Sequence, residues 1–461
     1  MTTISLTEQL AAQLIAWRSE GLPDETTEAA AYYFTDWLGS AIAGSVTEAG
    51  QMLLNYGCSQ PNGDCTIIES KKFVSAEVAA LINGGLSHIV EMDDLDRASV
   101  VHPATVVIPA ALAMAERTGA SGRDLFNAIT IGYEVAIRVG EAVGKEHYRY
   151  FHNTATCGIF GAAAAAGWLL DLRAEQFVWA FGNAGTQAAG LWQFNRDGDM
   201  SKHLHAGMAA SHGLAAADLA ARGFTGARHI LEGDRGFFAA TAPDAEPTLV
   251  CHKLGTAPFK IFGVSIKPHA SCRHTHPAID AALAIRQKLG DGKISACRID
   301  TYQAAINLCD NVNPQTPYAA KFSLHYCVAA ALLTGEAGLQ SFTPEQIQST
   351  AVQQLLARTS VTLNAKYEKR YPVQWATRVG VKLADGSTLT DEVTHPKGDP
   401  ENALSLDELE GKFRQIAAVG TDAPDAWLAW IHTLQDAANV RLTLSTEHHQ
   451  RNALHDSSAM M

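Results

Sequence analysis

The amino-acid sequence predicts a mainly α-helical protein, in which a smaller α/β domain is inserted into a large all-helical domain. Three observations predict this fold. Apolar residues recur at helical spacing through roughly the first 265 residues, and no stretch there alternates with a period of two. Strand-like and helical segments then follow each other up to residue 399. Helical spacing returns after residue 400, so we expect residues 1–265 and 400–461 to form the helical domain and residues 266–399 the α/β domain.

End signals support the helices of the first domain. Two antiparallel helices are expected over residues 5–44, separated at Pro23. Ser75 is placed to cap a buried helix over residues 75–89, and Ser121 with Asp124 has the spacing of a capping box. Small residues dominate residues 154–167, which predicts a helix in the middle of the bundle, because small side chains let neighbouring backbones approach closely.

Different signals mark the predicted α/β domain. The segment CRIDTYQAAI, which begins at Cys297, is typical of a strand. Residues 373–393 alternate on both sides of Asp385-Gly386, the pattern of a β-hairpin. A helix with proline at an early position is expected to begin near Thr275. After the helical segments of the C-terminal region, residues 448–461 are expected to be loose.

Composition excludes several classes of function. The chain has 461 residues, 47% of them hydrophobic, and a formal net charge of −13 at pH 7. Such a chain lacks the basic field that attracts nucleic acid or an anionic membrane, so neither is expected as a partner. Its eight cysteines have no paired metal spacing, and neither a signal peptide nor a membrane-spanning run is evident, so a cytoplasmic location is expected.

The acidic segment EMDDLDRASVVHP, residues 91–103, is the most informative stretch. It places four carboxylates and His102 between two apolar helical segments. Carboxylates that enter an apolar interior need partners or a function, and histidine is the side chain best suited to proton transfer near neutral pH. We interpret the segment as an active-site loop with His102 as general acid or base. The alternative is a solvated acidic turn in which His102 caps the next helix.

A cationic segment lies in the predicted α/β domain. Five cationic or histidine side chains fall within ten residues of a globally acidic chain: Lys267, His269, Arg273, His274 and His276. Arginine offers a planar fork to a carboxylate and lysine a compact charge, which suits a substrate with more than one carboxylate. We expect Lys267 and Arg273 to bind substrate and to face the acidic segment. The alternative is a solvated basic turn paired with surface carboxylates.

Metal chemistry and thiol chemistry are two alternatives for these residues. His203/His205 and His274/His276, together with Asp93 or Asp94, could form a histidine–carboxylate metal cluster. Residues two apart on a helix point to different faces, and no established metal motif is present, so no metal is expected. Cys272 beside Arg273 could be a thiolate nucleophile, although such cysteines are more often packing residues. Nicotinamide and nucleotide cofactors are not expected, because no Rossmann or P-loop motif is found.

Several motifs together resemble the MmgE/PrpD family. These are Glu91-x-Asp93-Asp94 before His102-Pro103, Phe151-His152, Ser201-Lys202-x-Leu204-His205-x-Gly207, the segment from Lys267-Pro268 to Pro277, and Lys321-Phe322-Ser323 to Tyr326. Their order and spacing match along nearly the whole chain. The resemblance implies a homodimer whose subunits have a large helical domain and a smaller α/β lid, and it implies catalysis without a cofactor.

Members of the family include 2-methylcitrate dehydratase, cis-aconitate decarboxylase and iminodisuccinate epimerase, which make or break a bond next to a carboxylate of a small polycarboxylic acid. By resemblance, the residues that line the cleft are Glu91, Asp93, His102, His152, Lys202, Lys267 and Tyr326. We expect His102, Asp93, Lys202 and Tyr326 to act in catalysis. The remaining predicted site residues, Glu91, His152, Lys267 and Arg273, are expected to bind the substrate.

One departure from the family bears on the reaction. Dehydratases and the decarboxylase typically have Thr-Trp after the acidic pair, whereas Leu95-Asp96-Arg97 follows Asp94 here. This departure leaves the epimerase, or an unassigned lyase, open. The resemblance as a whole implies a cofactor-independent lyase of dehydratase or decarboxylase type that acts on a small di- or tricarboxylic acid. An epimerase of an iminodisuccinate-like dicarboxylate is the alternative. A non-catalytic polycarboxylate-binding protein is the alternative from another class.

Overall fold

The computed structural model describes residues 4–441, so the tail expected at residues 448–461 lies outside the described residues. Within the described range the chain divides into two compact units. The first unit comprises residues 4–89, 93–264 and 406–441, and the second comprises residues 90–92 and 265–405. Helices account for most of the described elements, and the predicted mainly α-helical fold is confirmed.

The first unit is a helical bundle. Its helices before residue 264 are α1 (Leu6–Glu20), α2 (Asp24–Ser45), α3 (Glu48–Cys58), α4 (Ala76–His88), α5 (Ala104–Thr118), α6 (Gly122–Ala142), α7 (Gly144–Tyr148), α8 (Asn153–Thr156), α9 (Gly158–Leu169), α10 (Ala174–Gly185), α11 (Gln193–Asp197), α12 (Ser201–Ala221) and α13 (Phe237–Thr241). Short 3-10 helices follow at Pro247–Cys251 and Lys260–Gly263. Strands of two residues are β1 (Cys65–Thr66), β2 (Phe73–Val74), β3 (Leu95–Asp96) and, at the boundary with the second unit, β4 (Val264–Ser265).

The second unit combines helices with one four-stranded sheet. Its helices are α14 (His276–Leu289), α15 (Gln303–Cys309), α16 (Pro317–Lys321), α17 (Leu324–Thr334), α18 (Pro344–Ile347), α19 (Thr350–Leu356) and α20 (Ala365–Glu368). Its strands are β5 (Ile294–Thr301), β6 (Thr359–Leu363), β7 (Thr377–Leu383) and β8 (Thr388–Val393). Short 3-10 helices lie at Arg273–Thr275, Leu339–Phe342 and Pro400–Asn402. The strand order is β6-β5-β7-β8, with β5 parallel to β6 and antiparallel to β7. The predicted hairpin around Asp385-Gly386 is confirmed by the antiparallel pairing of β7 with β8.

After the second unit the chain returns to the first through α21 (Leu406–Ala417) and α22 (Pro424–Leu434). Helix α21 packs against α2. At this interface Lys412 Nζ donates to Asp36 Oδ1, and both side chains are buried. A buried charge that loses its partner is costly, so this ion pair links the return segment to the N-terminal helices.

Local end signals define the helices that lead to the acidic segment. The Ser75 hydroxyl accepts a hydrogen bond from the backbone N–H of Val78 at the start of α4. The capping box predicted for Ser121 and Asp124 is present at the start of α6. Helix α9 is buried from Gly158 to Gly167, as its small side chains predicted. None of the described helices has the length and apolarity that crossing a bilayer requires.

Two glycines bring α4 and α12 into backbone contact. A Cβ atom at Gly207 would lie 2.1 Å from the carbonyl oxygen of Leu81, and one at Gly84 would lie 3.0 Å from the Cα of Gly207. No side chain fits at this crossing. Gly84 precedes His88 by four residues, and Gly207 follows Lys202 by five. The crossing therefore fixes the distance between the two helix ends that carry these side chains.

Alanine at Gly207 is expected to lower the free energy of unfolding by about 3 kcal/mol, the upper end of the usual range for overpacking. The reason is that the two backbones must separate to admit the methyl group. Alanine at Gly411 is the matched control. Gly411 is exposed within α21, and its added Cβ would meet no atom within 4 Å. There the same change should stabilise the helix by roughly 0.5–1 kcal/mol. Denaturant unfolding of both variants tests this, and equal effects of the same sign would contradict it.

Glu116 joins α5 to the strand β1. Its carboxyl group accepts hydrogen bonds from the backbone N–H of Thr66 at 3.0 Å and from the Thr66 hydroxyl at 2.5 Å. Burial raises the pKa of Glu116 to about 7, although both hydrogen bonds act in the opposite direction. The carboxyl group is therefore partly protonated in the native protein at neutral pH.

Candidate active site

The candidate site of the first unit is built around the carboxylate of Asp93. One of its oxygens, Oδ2, lies 2.7 Å from Nδ1 of His88 and 3.0 Å from Nδ1 of His102. The side chains of His88 and Asp93 are fully buried, whereas that of His102 is 13% exposed. His88 is the last residue of α4, and the backbone N–H of His102 donates to the hydroxyl of Thr154 in α8. Helices α4 and α8 thus help to hold the two histidines beside the same carboxylate oxygen.

Further histidines continue this cluster. The ring of His152 stacks on that of His88 with centroids 5.4 Å apart and an interplanar angle of 16°. His205 and Trp192 flank His152 at centroid distances of 5.8 Å and 4.9 Å. Gly190 makes this approach possible, because a Cβ atom there would lie 3.3 Å from Nδ1 of His205. The structure therefore brings the predicted residues His102, Asp93 and His152 together.

Burial keeps most of these imidazoles neutral. It lowers the pKa of His88 to about 4, and the charge of Lys202 adds to the effect although Asp93 opposes it. The pKa of His152 is well below its ordinary value, first because of burial and then because of His88 and Lys202. Burial and Lys202 also lower the pKa of His205. The positive charge of Lys202, at the start of α12, thus contributes to the lowered pKa of all three rings. His152 is a neutral hydrogen-bonding group rather than a cation.

Asp94 and Asp96 make hydrogen bonds that hold the acidic segment in its conformation. Asp94 accepts hydrogen bonds from the Tyr133 hydroxyl at 2.8 Å and from the backbone N–H of Ala104 at 3.1 Å. Asp96 accepts from the backbone N–H and the hydroxyl of Ser99, at 2.7 Å and 2.6 Å. Burial raises the pKa of Asp94 well above its ordinary value and also raises that of Asp96. Because these groups are buried, the alternative of a solvated acidic turn is wrong.

Glu91 belongs to the second unit, where it meets Lys267. The Lys267 Nζ atom lies 3.6 Å from Oε2 of Glu91, and both side chains are almost fully buried. The neighbouring backbone is held as well, since Nζ of Lys321 donates to the carbonyl oxygen of Val90 at 2.9 Å. Lys267 therefore pairs with Glu91, the first residue of the acidic segment.

Arg273 is buried in an ion pair. One terminal nitrogen of its guanidinium group donates to Oδ1 of Asp399, which also accepts from the Ser265 hydroxyl at 2.6 Å. Its Nε and second terminal nitrogen are buried and have no hydrogen-bond partner among the described residues. Next to it, His274 stacks on Trp375 with centroids 4.3 Å apart. The alternative of a solvated basic turn is wrong, and the predicted substrate contact of Arg273 stays a prediction for the two remaining nitrogen atoms.

Tyr326 and Cys272 make different hydrogen bonds, and the pKa values of their side chains are shifted in opposite directions. The Tyr326 hydroxyl donates to the carbonyl oxygen of Ser341, and burial raises the pKa of the phenol. Its proton is thus engaged in a hydrogen bond, and the predicted role of Tyr326 in catalysis stays a prediction. The Cys272 thiol has a lowered pKa, chiefly because Cys309 donates a hydrogen bond to it, while burial acts in the opposite direction. Cys272 therefore stays an alternative nucleophile.

A candidate metal-binding cluster is present, but it consists of other residues than the histidine pairs that the sequence suggested. Ligand atoms of His88, Asp93 and His102 lie within 4.8 Å of one another. Their separations of 2.7 Å and 3.0 Å are hydrogen-bond distances, shorter than the roughly 3.3 Å that follows from zinc–ligand bonds of about 2.0–2.1 Å in a tetrahedron. Nδ1 of His88 is hydrogen-bonded to Asp93, whereas Nδ1 of His102 lies at ion-pair distance from it. His88 was not singled out from the sequence, although its position directly before the acidic segment is a usable signal.

These features define a mainly helical protein with a buried acid–base site. The chain belongs to the MmgE/PrpD family: residues 8–250 match the MmgE/PrpD N-terminal domain, and residues 269–432 match the C-terminal domain. A cis-aconitate decarboxylase-like protein of Aspergillus oryzae is 28% identical over 89% of this chain and 91% of its own length.

Two further relatives are cis-aconitate decarboxylases. The human protein is 26% identical over 94% of this chain and 92% of its own length. The protein of Aspergillus terreus is 25% identical over 89% of this chain and 90% of its own length. These relatives, together with the family, support an enzyme of lyase type.

Proposed function

We propose that the protein is a lyase of the decarboxylase or dehydratase type, which breaks a bond next to a carboxylate of a small di- or tricarboxylic acid by proton transfer. The observation that carries the proposal is the ion-pair contact of 3.0 Å between Oδ2 of Asp93 and Nδ1 of a partly exposed His102. The named relatives make cis-aconitate the first substrate to test.

His102 is the proton-transfer group in this proposal. The ring lies 3.0 Å from the Asp93 carboxylate through Nδ1, and in this proposal it exchanges a proton with the substrate through Nε2. Asp93 fixes the orientation of the ring and stabilises the imidazolium that forms during transfer. A carboxylate that is buried and acts only as an acceptor suits this role, because it does not compete for the substrate's proton.

Charge stabilisation is assigned to Lys202. Loss of a carboxylate or of a proton next to a carboxylate leaves an electron pair that spreads onto oxygen, and a fixed cation near that oxygen lowers the barrier. Lys202 is buried, and its charge acts on His88, His152 and His205. His152, which is neutral, would donate or accept a hydrogen bond with a substrate oxygen. Binding of substrate by Glu91, Lys267 and Arg273 stays a prediction, as do independence from a cofactor and the homodimer.

Incubation with a panel of di- and tricarboxylic acids in deuterated water, followed by proton NMR, tests the proposal. Decarboxylation of cis-aconitate is expected to give carbon dioxide and a product that carries solvent deuterium. Dehydration would instead give an alkene, and exchange at an α-carbon without net loss would indicate the epimerase. Saturable binding without any of these reactions would overturn the proposal in favour of a polycarboxylate-binding protein.

A further inference from the structure

His88 has no role in the proposed chemistry, yet its ring lies closer to Asp93 than the ring nitrogen of His102 does. Its Nδ1 lies 2.7 Å from the same carboxylate oxygen that His102 approaches at 3.0 Å. The rings of His88 and His102 meet edge to face, with centroids 5.0 Å apart and an interplanar angle of 67°. One oxygen of Asp93 therefore has two imidazole neighbours, of which the buried one is held closer.

The surroundings of His88 determine which of its two ring nitrogens carries the proton. The side chain is fully buried, and Lys202, His102 and His152 are the cationic or titratable groups that face it besides Asp93. An ionised carboxylate only accepts hydrogen bonds, so a neutral His88 must hold its proton on Nδ1 and donate it to Asp93. Its Nε2 is left buried with no hydrogen-bond partner among the described residues. Such an unsatisfied atom has a cost, and a buried atom of this kind calls for an explanation.

We infer that His88 is a positioning residue: its Nδ1–H holds the Asp93 carboxylate in the orientation that fixes His102, and it takes up part of the carboxylate's negative charge. This inference rests on the proposed function of His102. His88 does not act on the substrate itself, because its ring is fully enclosed between Asp93 and the ring of His152.

The direction of the effect follows from the shared oxygen. A second N–H donor reduces the electrostatic pull that Asp93 exerts on the His102 proton. Without that donor, the attraction between Asp93 and a protonated His102 strengthens. The proton then leaves His102 at higher pH, and Asp93 also loses one of the contacts that fix its orientation.

Two substitutions at His88 separate these effects from simple loss of packing. His88→Asn keeps an amide N–H near the position of Nδ1, so kcat and the pH–rate profile are expected to stay within a few-fold of the wild type. His88→Leu fills the space without a donor. It is expected to lower kcat by roughly 10- to 100-fold, the usual effect of losing a hydrogen bond to a charged group, with little change in KM. It should also move the acidic limb of the pH–rate profile to higher pH.

His147→Leu is the matched control. His147 is also buried, but its ring nitrogens contact Thr241 and Thr156 at 3.0 Å and 2.8 Å, away from Asp93. This variant is expected to lose thermal stability, but its pH–rate profile should keep the wild-type limbs. An unshifted profile for His88→Leu, or equal losses for His88→Leu and His88→Asn, would overturn the inference.

A second measurement separates failure of this inference from failure of the proposed function. Histidines labelled with nitrogen-15 are titrated by NMR in the wild type and in His88→Leu, and the His102 signal is assigned by its loss in His102→Asn. An upward shift of the His102 midpoint supports the positioning role even if no substrate in the panel reacts. Identical midpoints overturn it, whatever the activity.

Discussion

Alanine in place of His102 is expected to lower kcat by roughly 10²- to 10⁴-fold, the usual contribution of a general acid or base. The physical reason is that His102 is the partly exposed imidazole beside Asp93, whereas His88 and His152 are buried. KM should change much less, because the proposed contacts of the substrate carboxylates lie with other residues. Steady-state kinetics with the substrate identified from the panel measures both constants.

His229→Ala is the control for this experiment. His229 lies in the same unit, with its side chain 57% exposed and paired with Glu232. Its removal should leave turnover unchanged. Near-normal turnover of His102→Ala would remove the acid–base role of His102 and transfer the assignment to Asp93 or Lys202.

Alanine in place of Lys412 is expected to lower the free energy of unfolding by roughly 3–5 kcal/mol. The change leaves the buried carboxylate of Asp36 without its lysine partner between α2 and α21. Denaturant unfolding, followed by far-ultraviolet circular dichroism, measures the loss.

The double variant Asp36→Leu/Lys412→Met tests the cause. Apolar residues of similar volume remove both charges, so most of the lost stability should return. Arg123→Ala breaks an exposed ion pair with Asp24 and should have no measurable effect. A double variant as unstable as Lys412→Ala would show that packing, rather than the unpaired charge, dominates.

Short-range signals predicted much of the fold. Ser75 and Ser121 begin helices where the sequence placed them, and Asp385-Gly386 forms the turn of a hairpin. Each of these signals acts within a few residues. The parallel pairing of β5 with β6 was not predicted, because it joins segments about 60 residues apart and has no local turn signal. The association of residues 90–92 with the second unit was missed for the same reason.

The candidate site shows the same limit. The sequence indicated which residue types could move protons or bind carboxylates, and it singled out both Glu91 and Lys267, which form an ion pair. It could not indicate that Asp399, 126 positions away, already balances Arg273. Nor could it show that the Tyr326 hydroxyl is used by the carbonyl of Ser341. Both depend on partners distant in the sequence. His88 was overlooked because it ends an apolar helix whose pattern indicates only packing.

The buried acids Asp94, Asp96 and Glu116 change the meaning of the formal charge. The value of −13 counts every carboxyl group as ionised, whereas burial raises the pKa of all three. As pH rises, the unfolded chain releases these protons before the native chain does, so the native state binds more protons and their contribution to stability falls. For Glu116 this interval runs from its ordinary value of 4.5 to about 7. At pH values between the unfolded and native pKa of each group, folding therefore takes up protons at these three positions, which are then less anionic than the formal charge implies.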